Sequence, residues 1–185
     1  MRISALFMAV LMVTACGGGD LSDSFDTRRN VGACPPAGAI YNAARIVELQ
    51  DNENNFNSIT YTGEVVDVRM YCRYTAADPV DAEIEIDFAF GRGPLGAETV
   101  KDYTYWVAVA RRSGKVLNKE YFTVRADFGD GDIVGASELI QNITIPRLDE
   151  TISAANFEVL IGFDLTDEQL AYNKEGHRFR LNAGQ

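Results

Sequence analysis

This 185-residue chain predicts an all-β fold: two antiparallel sheets packed as an immunoglobulin-like sandwich, closed by one short C-terminal helix. Three observations carry the expectation. D-A-E-I-E-I-D-F-A-F alternates apolar and acidic residues with a period of two, which places Ile84, Ile86, Phe88 and Phe90 on one face of a strand. Y-T-Y-W-V-A-V-A-R-R-S-G-K-V-L-N-K-E-Y-F-T-V has the form of a hairpin turning at Ser113 and Gly114. Six or seven such runs follow one another at the spacing typical of sandwiches. A small barrel is the competing architecture.

At the start of the chain, Arg2 precedes nine apolar residues, Ala5 to Val13. That run is too short to cross a bilayer, where a helix needs about 20 residues. A short apolar run ended by small residues reads as a cleaved export signal. V-T-A-C, Val13 to Cys16, resembles the lipobox of bacterial lipoproteins, with Val13 where Leu is usual. The resemblance implies a signal peptide over 1–15 and Cys16 as the lipidated first residue of the mature chain. An ordinary secretory signal cut near Ala15 is the alternative, and it leaves Cys16 as an odd thiol or a disulfide partner. In such lipoproteins an Asp directly after the cysteine favours retention at the inner membrane. Gly17 stands there, which implies the outer membrane, with the domain in the periplasm or at the surface.

Residues 16–33 are rich in Gly, Ser and Asp and read as a flexible tether. The expected sandwich domain spans 34–175, and 176–185 form a polar tail. With Cys16 assigned to lipid, Cys34 and Cys72 remain as an even pair in an oxidising compartment and read as a disulfide.

The strands are expected in order. One lies within I-Y-N-A-A-R-I-V-E-L, a stretch that also fits a helix. V-V-D-V-R-M-Y-C-R-Y sets Val66, Val68, Met70, Cys72 and Tyr74 inward. The acidic strand 81–90 follows and is broken by G-R-G-P-L-G. In the hairpin, a two-residue turn pairs Trp106 with Tyr121 and Tyr105 with Phe122. That register puts Tyr103, Tyr105, Val107, Phe122 and Val124 on one face, and Trp106, Lys119 and Tyr121 on the other. Two more strands surround S-E-L-I-Q-N-I-T-I and N-F-E-V-L-I-G-F-D-L. T-D-E-Q then forms a capping box, with Thr166 as N-cap and Gln169 at the third helical position.

Composition narrows the function. Seventeen basic residues stand against 27 acidic ones, a net charge of −10, and loss of Arg2 with the signal deepens it. Nucleic-acid binding, which needs clustered Lys and Arg, is not expected. The sole histidine, His177, sits in the polar stretch G-H-R-F-R-L, away from any nucleophile motif. The acids of 81–90 form a solvated face. D-F-G-D-G-D offers Asp127, Asp130 and Asp132 on a Gly-rich turn, where three carboxylates could begin a calcium shell. The spacing misses the EF-hand pattern, and a polar hairpin loop accounts for the same residues. No other cofactor is expected. On the outward hairpin face, Trp106 and Tyr121 beside Lys119 and Arg125 form an aromatic and cationic set of the kind found at protein interfaces. A neighbouring strand or the tether could also cover that set.

From C-P-P-A-G at Cys34, through T-G-E-V-V-D-V and R-R-S-G-K-V-L-N-K-E-Y-F-T-V, to F-E-V-L-I-G-F-D-L-T-D-E-Q-L-A-Y-N, the chain resembles a group of small lipoproteins of alphaproteobacteria. No catalytic motif comes with that resemblance. In size, anchor and lineage it is also similar to accessory lipoproteins of the outer-membrane β-barrel assembly machinery. A-I-Y-N-A-A-R around Asn42 and Arg45 matches part of their Arg-x-x-Asn-x-x-Arg pattern. The expected function is a non-catalytic, lipid-anchored envelope module docking on another outer-membrane or periplasmic protein. A sandwich binding calcium or glycan is the alternative, and a hydrolase the third reading.

Overall fold

The computed structural model describes residues 32–50, 54–75 and 78–177. Cys16 and the expected signal peptide lie outside them. Two four-stranded sheets face each other. The strands are β1 (Ala37–Ala39), β2 (Arg45–Leu49), β3 (Ile59–Arg73), β4 (Val80–Arg92), β5 (Val100–Arg111), β6 (Val116–Asp127), β7 (Ile133–Ile145) and β8 (Phe157–Phe163), followed by helix α1 (Asp167–Lys174). The first sheet runs β1-β8-β5-β6 and the second β2-β3-β4-β7. All pairs are antiparallel except β1 with β8, which is parallel. β1 is the strand the sequence does not announce, because A-G-A has neither length nor apolar pattern.

The acidic strand is the centre of the core. Ile84, Ile86, Phe88 and Phe90 are all buried. Phe88 packs on Tyr105 at 5.0 Å between ring centroids and on Phe163 at 5.8 Å, and Phe90 stacks on Tyr103 at 4.5 Å. These contacts join the second sheet to the first. The hydroxyls of Tyr103 and Tyr105 are buried without a hydrogen-bond partner among the described residues. Burial pushes both phenols up, so they stay protonated throughout the ordinary pH range.

One side of the sandwich is sewn shut. Between β1 and β2 the chain crosses from the first sheet to the second, and its backbone bonds to both. Ile40 N–H donates to Ile161 O, Phe163 N–H to Ala43 O, and Val65 N–H to Ala44 O. Cys34 and Cys72 form the expected disulfide, with Cα atoms 5.8 Å apart, and it ties the segment before β1 to β3. Tyr74 OH donates to Ala33 O beside it. Arg147, 4.8 Å over the Tyr74 ring, donates to the carbonyls of Thr75, Asp78 and Ile152 and holds the β3–β4 and β7–β8 connections together. The capping box of α1 is present as expected, with Thr166 and Gln169 bonding reciprocally. Asn173 Nδ2 donates to Asn42 O and Arg45 O and seats the helix on the closed side.

Two details of register differ from the sequence expectation. Val66, expected inward, is 62% exposed, and Val65 is buried in its place. The pairing of β3 with β4 shifts between Val65 and Asp67, so Val66 is the extra residue of a bulge. In the β5–β6 hairpin, Tyr103 opposite Val124, Tyr105 opposite Phe122 and Trp106 opposite Tyr121 are paired as expected. The turn that produces this register is not the two-residue one. Arg111 N–H donates to Lys115 O across a three-residue loop, with Gly114 at φ 89°. A bulge at Leu117, between the pairs Val109–Asn118 and Ala110–Val116, then restores the register. Gly114 is required by its left-handed conformation.

The outer face of β4 is ordered by a single cation. Arg69 bridges Glu85 at 3.0 Å and Asp87 at 2.7 Å and also pairs with Asp67. The Ser137 hydroxyl, donating at 2.6 Å, and then Arg69 hold the Asp87 carboxyl below its ordinary value. A depressed carboxylate stabilises the fold fully above its unfolded pKa and loses that contribution as pH falls through its folded value. Arg69→Met should therefore lower the melting temperature near neutral pH and flatten its decline below about pH 4, read by thermal denaturation across pH. Replacing Cys34 and Cys72 together by Ser should lower stability by about 4 kcal/mol from loop-closure entropy, measured by urea denaturation against the oxidised wild type.

Candidate functional site

β5 and β6 present one face to the core and one outward. The outward residues of β5 include Asp102, Thr104 and Trp106, and opposite them on β6 stand Arg125, Thr123 and Tyr121, with Lys119 next in line against Ala108. The period of two that buries Tyr103, Tyr105 and Val107 thus gathers the aromatic residues and the cation on the other surface.

Trp106 is held firmly. Its indole N–H donates to Phe163 O at 3.1 Å. Its ring lies over Gly162, where a Cβ would sit 2.6 Å from one ring carbon and 2.7 Å from the Ala43 Cβ. Only glycine lets the indole lie this close to β8. Lys119 Nζ lies 4.4 Å from the centre of the Trp106 ring and 4.8 Å from that of Tyr121, so one ammonium is shared by two aromatic faces. Tyr121 is 56% exposed, and no described strand lies over it. Arg125, grouped with these three in the sequence, is not part of the cluster. It lies further along β6 and forks onto Asp102 at 2.8 and 3.1 Å, which holds the Asp102 carboxyl low. With Arg125 taken up by Asp102, Trp106, Lys119 and Tyr121 remain as the patch.

Asp127, Asp130 and Asp132 are not gathered into a shell. Their loop is an arch that carries the chain from β6 in one sheet to β7 in the other, not the hairpin expected. Asp127 Oδ1 accepts the Gly129 N–H at 3.1 Å, and Asp132 pairs with Arg92 at 3.1 Å. Turn formation and an ion pair occupy the two carboxylates separately. Among the described residues, no three His, Cys, Asp or Glu side chains are placed to hold a metal ion. His177 packs its ring, tilted, against Tyr172 and contacts Asn54 and Glu175.

A cleft lies on the side where β6 and β7 meet, and the sequence pattern did not announce it. β6 and β7 are the outer strands of their sheets there. Between them an open cleft of about 330 Å³ is lined by Val107, Val109, Phe122, Ile140 and Ile143, with Glu120 among its polar residues. Its signal in the sequence is Glu120, a carboxylate on the same parity as Phe122 and Val124. Charged residues at inward positions mark strands at a sheet edge.

Comparison with protein-family models, curated proteins and solved structures gives no match. The reading of the site therefore rests on its geometry.

Trp106 is the only tryptophan, so its fluorescence reports this patch alone. Lys119→Gln should alter the emission and lower stability by about 0.5–1 kcal/mol. Gly162→Val should force the indole off β8, shift emission to the red, and destabilise by about 1–3 kcal/mol, read by fluorescence and thermal melting.

Proposed function

We propose that this chain is a non-catalytic binding module of the bacterial envelope, held to the outer membrane through lipid on Cys16 and docking a protein partner through the outward face of its β5–β6 hairpin. Its place is among the small alphaproteobacterial lipoproteins that its motifs resemble. The observation that carries the reading is the Trp106–Lys119–Tyr121 cluster: two aromatic rings and one cation in contact on a strand pair, with Lys119 and Tyr121 exposed and Trp106 half-buried. Aromatic residues immobilised before binding lose little side-chain entropy on docking, and Trp and Tyr dominate the energy of interfaces. The disulfide suits an oxidising compartment, as the export signal requires.

Lysine and tyrosine on this face leave the partner's chemistry definable. An acidic or carbonyl-bearing surface with an apolar shelf would satisfy the ammonium and cover both rings. Chemical crosslinking in a native host, followed by mass spectrometry, should recover one specific envelope protein. Trp106→Ala combined with Tyr121→Ala should lose it without unfolding the domain. Cys16→Ser should shift the protein from the membrane to the soluble fraction. Repeated recovery of no partner, or equal recovery by the double variant, overturns the docking reading. Retention of Cys16→Ser in the membrane overturns the anchor.

A further inference from the structure

The two long sides of the sandwich are unequal. The disulfide side is stitched by backbone bonds, while the β6/β7 side stays open over an apolar floor. Phe122, Ile140 and Ile143 pack against the core cluster there but are only partly buried. The floor continues inward to Val107 and Val109. Its volume of about 330 Å³ is at the lower end of the range for sites that hold small organic ligands.

Charge at this seam has one sign. On β6, Glu120 is paired with Val107 and therefore shares the inward parity of Phe122. On β7, Glu138 is paired with the buried Ile86 and shares the inward parity of Ala136 and Ile140. Asn118 Nδ2 donates to Glu120 Oε1 at 2.8 Å and orients that carboxylate at the cleft. The remaining polar lining is Asn118, Gln141, Asn142 and Thr144, all uncharged. Lys119, next to Glu120 on β6, belongs to the opposite face, where the two aromatic rings hold it.

An added β-strand is a poor occupant. Each of the two edges is broken at the cleft: β6 by the bulge at Leu117, β7 by the irregularity at Gln141 and Asn142, where Asn142 adopts φ 61°. Bulges and inward charges are devices that stop a sheet edge from pairing with another chain. What fits is a short apolar body ending in a positive charge.

We propose that the β6/β7 cleft binds a small apolar ligand carrying a single ammonium group, with the hydrocarbon between Val107, Val109, Phe122, Ile140 and Ile143 and the ammonium on Glu120. This site is independent of the docking face and of the lipid anchor. The carboxylate selects cations over neutral and anionic ligands of the same length, and the apolar floor supplies most of the affinity.

The probes are octylammonium, octanol and octanoate, titrated into the mature protein below their micelle concentrations and followed by calorimetry. Octylammonium should bind about fivefold or more tightly than octanol, and octanoate should give no binding. Glu120→Gln, at an exposed position, should keep the melting temperature and erase the preference for octylammonium over octanol. Leu117→Trp, filling the cleft from its rim, should weaken both. Equal binding of octylammonium and octanoate, an unchanged preference in Glu120→Gln, or no heat with any probe overturns the proposal. If Glu120→Gln instead forms oligomers while probe binding is unaltered, the inward carboxylate guards the edge and selects no ligand, which likewise overturns it.

Discussion

Aromatic rings at the middle of the sandwich set the distance between its two sheets, and the other features are placed by that spacing. Phe88 and Phe90 on β4 meet Tyr103 and Tyr105 on β5 and Phe163 on β8. Offset and tilted packing of this kind adds to the free energy of burial itself and is sensitive to sub-ångström displacement. Two of the rings carry hydroxyls that find no described partner, which costs stability unless the packing around them more than compensates. β4 and β5 are therefore fixed to each other across the two sheets. The patch on the outside of β5 inherits its rigidity from the tyrosines on the inside.

The closure of the two sides differs for a covalent and topological reason. At the β1/β2 side the chain itself passes between sheets, and a disulfide ties the segment before β1 to the end of β3. At the β6/β7 side the arch joins the two edge strands at one end, and toward the other end, where the β7–β8 connection leaves β7, they border the apolar cleft. An incompletely covered core gives up hydrophobic free energy, and a binding site is one gain that offsets such a loss. The two surfaces proposed to bind, the outer hairpin face and the open seam, share β6 but use alternate residues along it. Lys119 serves one and Glu120 the other.

Much of this was legible from residue types alone. Strict alternation fixed the inward face of β4, and the sum of paired positions fixed the register of β5 on β6, because a one-residue slip would exchange the buried and exposed sets. The capping box of α1 was legible because both of its bonds are local in sequence. Bulges were not. Val66 keeps the alternating pattern on paper, yet a single extra residue relative to β4 turns it outward. The hairpin register was read correctly although its turn was not, since the bulge at Leu117 cancels the extra residue of the loop. Arg125 looked like part of the aromatic patch by parity, and only its fork onto Asp102 separated it.

The sequence by itself determined the all-β class, which side chains each main strand buries, the cysteine pair and the helix cap, because those depend on period, on counting, or on contacts a few residues apart. Tertiary structure decided which strands became edges, where the seam stayed open, and whether three aspartates in one short stretch would meet. Each of those outcomes depends on how the two sheets are ordered and spaced, and that arrangement is set by ring-to-ring packing between residues as distant in the chain as Phe88 and Phe163.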